Sequence, residues 1–206
     1  MYARSVMITG RPEAVDECIT FVRDEVQPVA TVLDGCLGLS LVVDRKSGRC
    51  IATSSWETPE SMAVAEDELA PLRRRAGEIL GGEPVVDRWE IALMHRVRPS
   101  GVGACCRIIW SRPQDIHIHV IVERVRHPLL TEFESVKGFC SASLFVDRLE
   151  RIICSTATFE SRAALESGRE AAAASRERVA RETGVEFLEI AEFELALAHL
   201  RVPELV

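Results

Sequence analysis

No run of apolar residues in this 206-residue chain approaches the roughly 20 that a membrane span requires. The N-terminus, MYARSVMITG, has neither the long apolar segment nor the small-residue cleavage pattern of a secretory signal. There is no excess of positive charge: 25 Lys and Arg stand against 32 Asp and Glu, a net charge of −7. A sequence-wide basic field for holding a nucleic-acid backbone is therefore absent. The seven cysteines (18, 36, 50, 105, 106, 140, 154) are odd in number and form no CxxC. Neither a disulfide framework nor a zinc knuckle is indicated, and the pattern fits reduced thiols acting as small hydrophobes. The expectation is a cytoplasmic protein with no membrane or nucleic-acid partner. Asparagine is missing altogether, tyrosine occurs once (Tyr2), and the only lysines are Lys46 and Lys137.

What is present is globular composition, 47% hydrophobic and 28% charged. It is also repeated. Gly35 to Glu57 (GCLGLSLVVDRKSGRCIATSSWE) aligns without a gap on Gly138 to Glu160 (GFCSASLFVDRLERIICSTATFE), with eight of 23 positions identical, among them Gly35/Gly138, Asp44/Asp147, Arg45/Arg148 and Glu57/Glu160. The offset is 103 (138 − 35). Further on, WEIALMH (89–95) aligns on FELALAH (193–199) at an offset of 104 (193 − 89), and Arg4 falls over Arg107 inside two apolar runs. Repeats set the fold and take precedence over local signals. The chain divides into a first copy over 1–97, a Pro/Gly-containing linker over 98–103 and a second copy over 104–206.

Within a copy the periods read β-α-β-β-α-β. Residues 2–9 form a strand, and Pro12 to about Val32 is helical, with Pro28 expected to kink or end it. Gly35 turns the chain into a strand over 37–43, Asp44 to Gly48 is a hairpin loop, and Cys50 to Trp56 returns. Thr58-Pro59-Glu60 starts the second helix with a hydroxyl cap and acid at the positive dipole end. Met62, Ala65, Leu69, Leu72, Ala76 and Ile79 form its apolar stripe, Gly81-Gly82 closes it, and 85–95 is the last strand. Ser161 and Gly184 play the same cap and stop roles in the second copy. One segment conflicts: Asp115 to Val122 alternates like a strand, whereas the repeat demands a helix, and the repeat is followed. A four-stranded antiparallel sheet with helices on one face leaves the other face bare. Two such sheets in one polypeptide can cover each other. The expected fold is thus α+β: two ferredoxin-like βαββαβ repeats pairing antiparallel sheets into a pseudo-two-fold barrel.

Several residues are candidates for chemistry. Arg4 and Arg107 place a permanent charge in an apolar strand, which demands either an internal carboxylate such as Glu90 or Glu194, an open strand face, or an anionic ligand or enolate. Trp56 and Phe159, just before the second helix of each copy, suit either core packing or a flat wall for an aromatic ligand. Trp89 and Trp110 could line the same pocket. His95 and His199 end the last strands and are weak candidates for a general base. His117 and His119 form an H-x-H with no third ligand in view, so no metal site is assigned.

Residues 35–61, in the pattern G-x5-L-V-V-D-x2-S-G-R-x-I-x2-S-x-W-E-T-P-E-S, resemble the antibiotic biosynthesis monooxygenase-like domains of the dimeric α/β barrel superfamily. Phe159-Glu160-Ser161 is a weaker second copy. The resemblance implies that fold, but not one chemistry, because the superfamily includes cofactor-free oxygenases, haem-degrading enzymes, isomerases and members with no known activity. Haem-degrading members use a first-strand Asn, a Trp at the position of Trp56 and a His on the following helix. Here there is no Asn, and no His between 57 and 94 or between 160 and 198, so that activity is disfavoured. A single Tyr also denies each copy the hydrogen-bonding phenol that quinone-forming members use. The leading reading is a cofactor-free barrel that binds a small aromatic or hydrophobic ligand, its activity lost or never gained. The alternative is a cofactor-independent monooxygenase or isomerase acting on a small aromatic or polyketide-like compound. Either would be an intramolecular pseudo-dimer, with further homodimerisation left open.

Overall fold

A computed structural model of the chain describes residues 1–114 and 118–205. Strand β1 (Tyr2–Thr9) leads to a 3-10 turn (Pro12–Ala14), α1 (Val15–Phe21), a π turn (Val22–Val26) and α2 (Gln27–Ala30). The single kinked helix expected here is resolved into these segments. Pro28 falls in the first turn of α2, where its missing N–H costs little, and the wider π turn immediately upstream absorbs the irregularity. Strands β2 (Cys36–Asp44) and β3 (Arg49–Trp56) form the anticipated hairpin. Asp44 organises the loop by accepting from the Lys46 amide at 3.0 Å and the Ser47 hydroxyl at 2.6 Å. In the second copy Asp147 accepts from the amides of Leu149 and Glu150 at 2.9 and 3.0 Å, which accounts for the identity of this pair.

Helices α3 (Pro59–Val64) and α4 (Glu66–Leu80) follow. Thr58 caps α3 by accepting from the Ser61 amide, and Ser61 returns the favour to the Thr58 backbone, a full capping box. The predicted stripe holds: Met62, Ala65, Leu69, Ala76 and Ile79 are buried. Gly81, at φ 73°, closes α4 in the left-handed region. Strand β4 (Val85–Arg96) completes the first copy. The second repeats the order: β5 (Cys105–Arg112), α5 (Ile118–Glu134), β6 (Phe139–Asp147), β7 (Ile152–Phe159), α6 (Arg162–Ser167), α7 (Arg169–Thr183) and β8 (Glu186–Leu200). Of the segment with conflicting signals, residues 118–122 are helical and 115–117, including His117, lie outside the described residues. Among the described residues no helix is long and apolar enough to cross a membrane.

The eight strands are hydrogen-bonded in the closed order β1-β3-β2-β8-β5-β7-β6-β4. The fold is therefore α+β, two ferredoxin-like repeats of the dimeric α/β barrel type. The chain groups into two compact units. The first comprises residues 1–90 and 194–202, the second residues 91–193 and 203 onward, so β4 and β8 each contribute to both. In the first unit β1 lies antiparallel between β3 and β4, and β2 between β3 and the later part of β8. In the second unit β7 lies antiparallel between β5 and β6. Each unit has its own core. Val15, Phe21, Leu41, Val43 and Leu80 anchor the first, and Ile121, Phe139, Leu144, Phe159 and Leu165 the second.

The shared glycine that opens β2 and β6 has a local cause. Gly35 and Gly138 sit at φ 75° and 87°. A Cβ on Gly35 would lie 2.7 Å from Ser61 Cβ, and one on Gly138 2.7 Å from Ala164 Cβ. Gly35→Ala or Gly138→Ala is expected to cost about 1–2 kcal/mol from the backbone alone, and more from the close contact. Gly101→Ala, whose methyl would meet nothing within 4 Å, should be neutral. Urea-unfolding midpoints check this, and an unchanged midpoint for the first two variants would refute the local account.

Candidate functional site

Alternation along β1 sends Arg4, Val6 and Ile8 to the face covered by helices, and Ala3, Ser5 and Met7 to the other. Arg4 is only 2% exposed. One of its terminal nitrogens donates to the Met62 carbonyl, Nη1 lies 3.0 Å from Glu66 Oε2, and Nε has no hydrogen-bond partner. Burial lowers the Arg4 pKa and the Glu66 charge offsets part of that. Glu66 also accepts from Arg73 on α4. That bond and the Arg4 charge hold the Glu66 carboxyl below its ordinary range.

In the second unit Arg107, 5% exposed, donates from Nε and Nη2 to Glu192 Oε1 at 3.2 and 2.8 Å. Arg162 reaches Oε2 of the same carboxylate at 2.9 Å, and Arg169 reaches both oxygens at 3.1 and 3.2 Å. Burial raises the Glu192 pKa, but the bond and charge of Arg107 and the charges of Arg169 and Arg162 outweigh it, so the net direction is down. The buried arginines thus take Glu66 and Glu192. Of the two carboxylates anticipated, Glu194 pairs instead with Arg45, at 2.9 Å.

Each of these arginines stands in the wall of a cavity between its sheet and its helices. The first-unit cavity measures about 70 Å³ and the second about 80 Å³. Each has room for several ordered waters or one small organic molecule, well short of a drug-sized pocket. The two are homologous in detail. Of the sixteen described residues that line the first, fourteen have the residue 103 positions later in the wall of the second. The pairs include Arg4/Arg107, Leu41/Leu144, Ala52/Ser155, Arg73/Arg176 and Ala30/Phe133. The walls are otherwise mostly hydrocarbon. Cys18 and Cys50 line the first where Ile121 and Ile153 line the second. The hydrogen bond that Cys50 donates to Cys18, together with burial, pushes the Cys50 thiol well above the usual thiol range, and the same bond lowers Cys18.

The other candidates lie elsewhere. Trp56 is fully buried against Ala30, Met62, Ala65 and Leu69. Its indole N–H donates to Ser54 Oγ at 3.0 Å, and Ser54 lines the first cavity, so Trp56 supports that wall from behind. Phe159 is fully buried and meets Phe139 edge-on, with ring centroids 5.8 Å apart. Trp89 donates to Ser5 Oγ at 2.8 Å, which places it on the sheet face away from Arg4. Trp110 alternates with the cavity-lining Ile109 and Ser111 and also faces away. His95 Nε2 lies 2.7 Å from Glu134 Oε1, and its buried Nδ1 has no partner. His199 sits opposite Leu39 in the β2–β8 ladder. Neither histidine lines a cavity. His119 is exposed on α5, and among the described residues no three His, Cys, Asp or Glu side chains are placed to share a metal ion. Sequence reasoning missed Glu66, Arg73, Arg176 and Glu192. The repeat register held the signal, since Arg73 and Arg176 occupy matching helix positions.

No family model matches the sequence. The chain is 48% identical over 206 residues to the uncharacterised protein Rv2557 of Mycobacterium tuberculosis H37Rv, covering all of this chain and 92% of that protein. It is 49% identical over 207 residues to the uncharacterised protein Rv2558 of the same strain, covering all of this chain and 88% of that protein. Among solved structures, a provisionally assigned monooxygenase of Fusobacterium nucleatum superimposes with a TM-score of 0.75 at 10% identity, over 97% of this chain and 94% of that one. A Listeria monocytogenes ferredoxin-fold protein related to antibiotic biosynthesis monooxygenases gives 0.55 at 10% identity, over 94% of each chain. These likenesses establish the fold.

The depressed pKa values of Glu66 and Glu192 carry a pH consequence. A carboxyl lowered in the folded state contributes stability that is complete above its ordinary pKa of 4.5 and is lost as pH falls through the lower folded value. Stability should therefore decline below about pH 4.5. Glu192→Gln should flatten that decline and, by stranding Arg107, cost on the order of 2–4 kcal/mol at neutral pH. Denaturant unfolding from pH 3 to 7 checks both, and an acid slope unchanged in the variant would contradict the assignment.

Proposed function

Because the chain belongs to the family of the Mycobacterium tuberculosis proteins Rv2557 and Rv2558, and folds as a tandem dimeric α/β barrel, we propose that it binds a small, mostly apolar ligand in the cavity between sheet and helices of each repeat. We assign the repeats to residues 1–97 and 104–206, joined by 98–103. One observation carries the reading: a cavity recurs at the same residues in both copies, although their sequences have diverged. Packing selection tends to fill voids, since each lost methyl contact costs stability. A void kept twice, each time beside a buried arginine, is better explained by an occupant. The volume limits that occupant to a short aliphatic or single-ring body.

Binding is favoured over turnover because the described residues of the cavity walls offer arginine, serine, threonine and cysteine but no histidine or carboxylate. Among the described residues no side chain there supplies a general base near neutral pH. His95 and His199 line neither cavity. Trp56, Phe159, Trp89 and Trp110 serve as supports rather than as ligand contacts. The second reading is a cofactor-independent monooxygenase or isomerase. It is favoured by Arg4 and Arg107, either of which could hold a developing enolate, and by the monooxygenase relationship of the structural neighbours. Haem degradation has no Asn to support it, and among the described residues no cavity-lining His.

Matched cavity-filling substitutions test the proposal. Ala52→Leu and Ser155→Leu each insert a branched side chain into one cavity. Each single variant should lose its own half of the saturable binding of a small aromatic such as phenol, read by amide chemical-shift titration. The double variant should lose all of it while keeping its circular dichroism spectrum. Undiminished binding in the double variant would end the cavity proposal. Oxygen uptake with a phenol or anthrone substrate, abolished by Arg107→Gln or Arg4→Gln in a folded protein, would promote the enzyme reading over the binding one.

A further inference from the structure

The two cavities differ in one electrostatic respect, and the repeat register makes it visible. Glu66 on α4 has Arg169 on α7 as its counterpart at an offset of 103. Arg88 on β4 has Glu192 on β8 as its counterpart at an offset of 104. The carboxylate that meets the buried strand arginine has thus changed sides, from helix to strand, between the copies. The exchange leaves the matching helix arginines in different states. Arg73 is held by Glu66 beside it. Arg176 has lost that neighbour. Glu192 already accepts from Arg107, Arg162 and Arg169, and Arg176 Nη1 is buried with no hydrogen-bond partner among the described residues.

We propose that the second-unit cavity is an oxyanion site: a small amphiphilic anion places its head on Arg176 beside Arg107 and its apolar body against Ile109, Ile121, Phe133 and Val179. In the first-unit cavity the matching helix arginine, Arg73, is already taken by Glu66. This rests on the reading of the cavities as ligand sites and adds the class of ligand. Three guanidinium groups (Arg107, Arg162, Arg169) share the Glu192 carboxylate, and Arg176 feels the charges of Arg107 and Arg169, with Glu177 as the opposing carboxylate, in a chain whose net charge is −7. Burial and the charges of Arg107 and Arg169 depress the Arg176 pKa, but a guanidinium stays protonated in water-accessible proteins. An unpartnered donor on a permanent cation is costly. A bound carboxylate or phosphate oxygen relieves it, and the planar fork suits either head. The hydrocarbon wall and the volume of about 80 Å³ select a short tail.

The probes are hexanoate and hexyl phosphate, with 1-hexanol as the uncharged analogue, titrated into the full chain by calorimetry and amide chemical shifts. Hexanoate or hexyl phosphate should bind once per chain, with shifts centred on Ile109, Phe133 and Val179. Hexanol should bind at least about tenfold more weakly, the worth of one charge-assisted hydrogen bond. Arg176→Gln should weaken anion binding about tenfold while leaving the melting temperature unchanged or raised, because it removes a buried unpaired charge. Arg73→Gln should leave anion binding as it is. Should Arg176→Gln fail to fold, Arg176→Lys keeps the charge without the fork and should still weaken binding. Equal affinity for hexanol and hexanoate at the second cavity would overturn the oxyanion assignment yet leave the cavity reading standing. Binding of neither would overturn both. Wild-type anion affinity in Arg176→Gln or Arg176→Lys, or its loss in Arg73→Gln, would overturn the proposal.

Discussion

A guanidinium on the first strand of each repeat, held where water is scarce, is the constraint around which the rest is arranged. Its charge cannot be shed by titration, so a carboxylate must be brought to it. In the first unit that carboxylate comes from the start of α4, and in the second from β8. The pair fixes more than charge. It ties β1 to the start of α4 in the first unit and β5 to β8 in the second. A pair of this kind is weak support for stability in itself, because desolvation consumes much of the attraction.

The cavities follow from what surrounds those pairs. Small side chains, Ala52 and Ser54 in one and Ala142 and Ser155 in the other, leave space under the helices that larger residues elsewhere fill. The cores on either side are dense, with Leu80, Leu144 and Phe159 essentially without exposure. Space is thus withheld locally, within units that otherwise pack well. That pattern is typical of sites where function opposes maximal stability.

Much of the fold was legible in the sequence because it is written in local chemistry. Gly35 and Gly138 mark backbone that only glycine adopts easily, Asp44 and Asp147 organise the hairpins, and Thr58 and Ser161 cap the helices. The repeat register also decided residues 118–122 correctly, against their alternating pattern. What stayed hidden depends on the third dimension. An arginine in a strand announces the need for a carboxylate but not its address, so Glu66 and Glu192 were passed over for Glu90 and Glu194. Aromatic size does not reveal which face a side chain takes, and Trp56 and Phe159 proved to be interior packing. Pro28 advertised a kink, but the π turn that precedes it has no signature of its own.

Strands β4 and β8 each divide their length between the two compact units. The edge of β2 from Gly38 to Val43 is satisfied only by residues near the C-terminus, Glu194 to Leu200. A fragment ending at the linker would leave that row of amides and carbonyls bare. Neither copy is therefore a transplantable module, and an ancestral single-copy gene product would have had to borrow this strand from a second molecule.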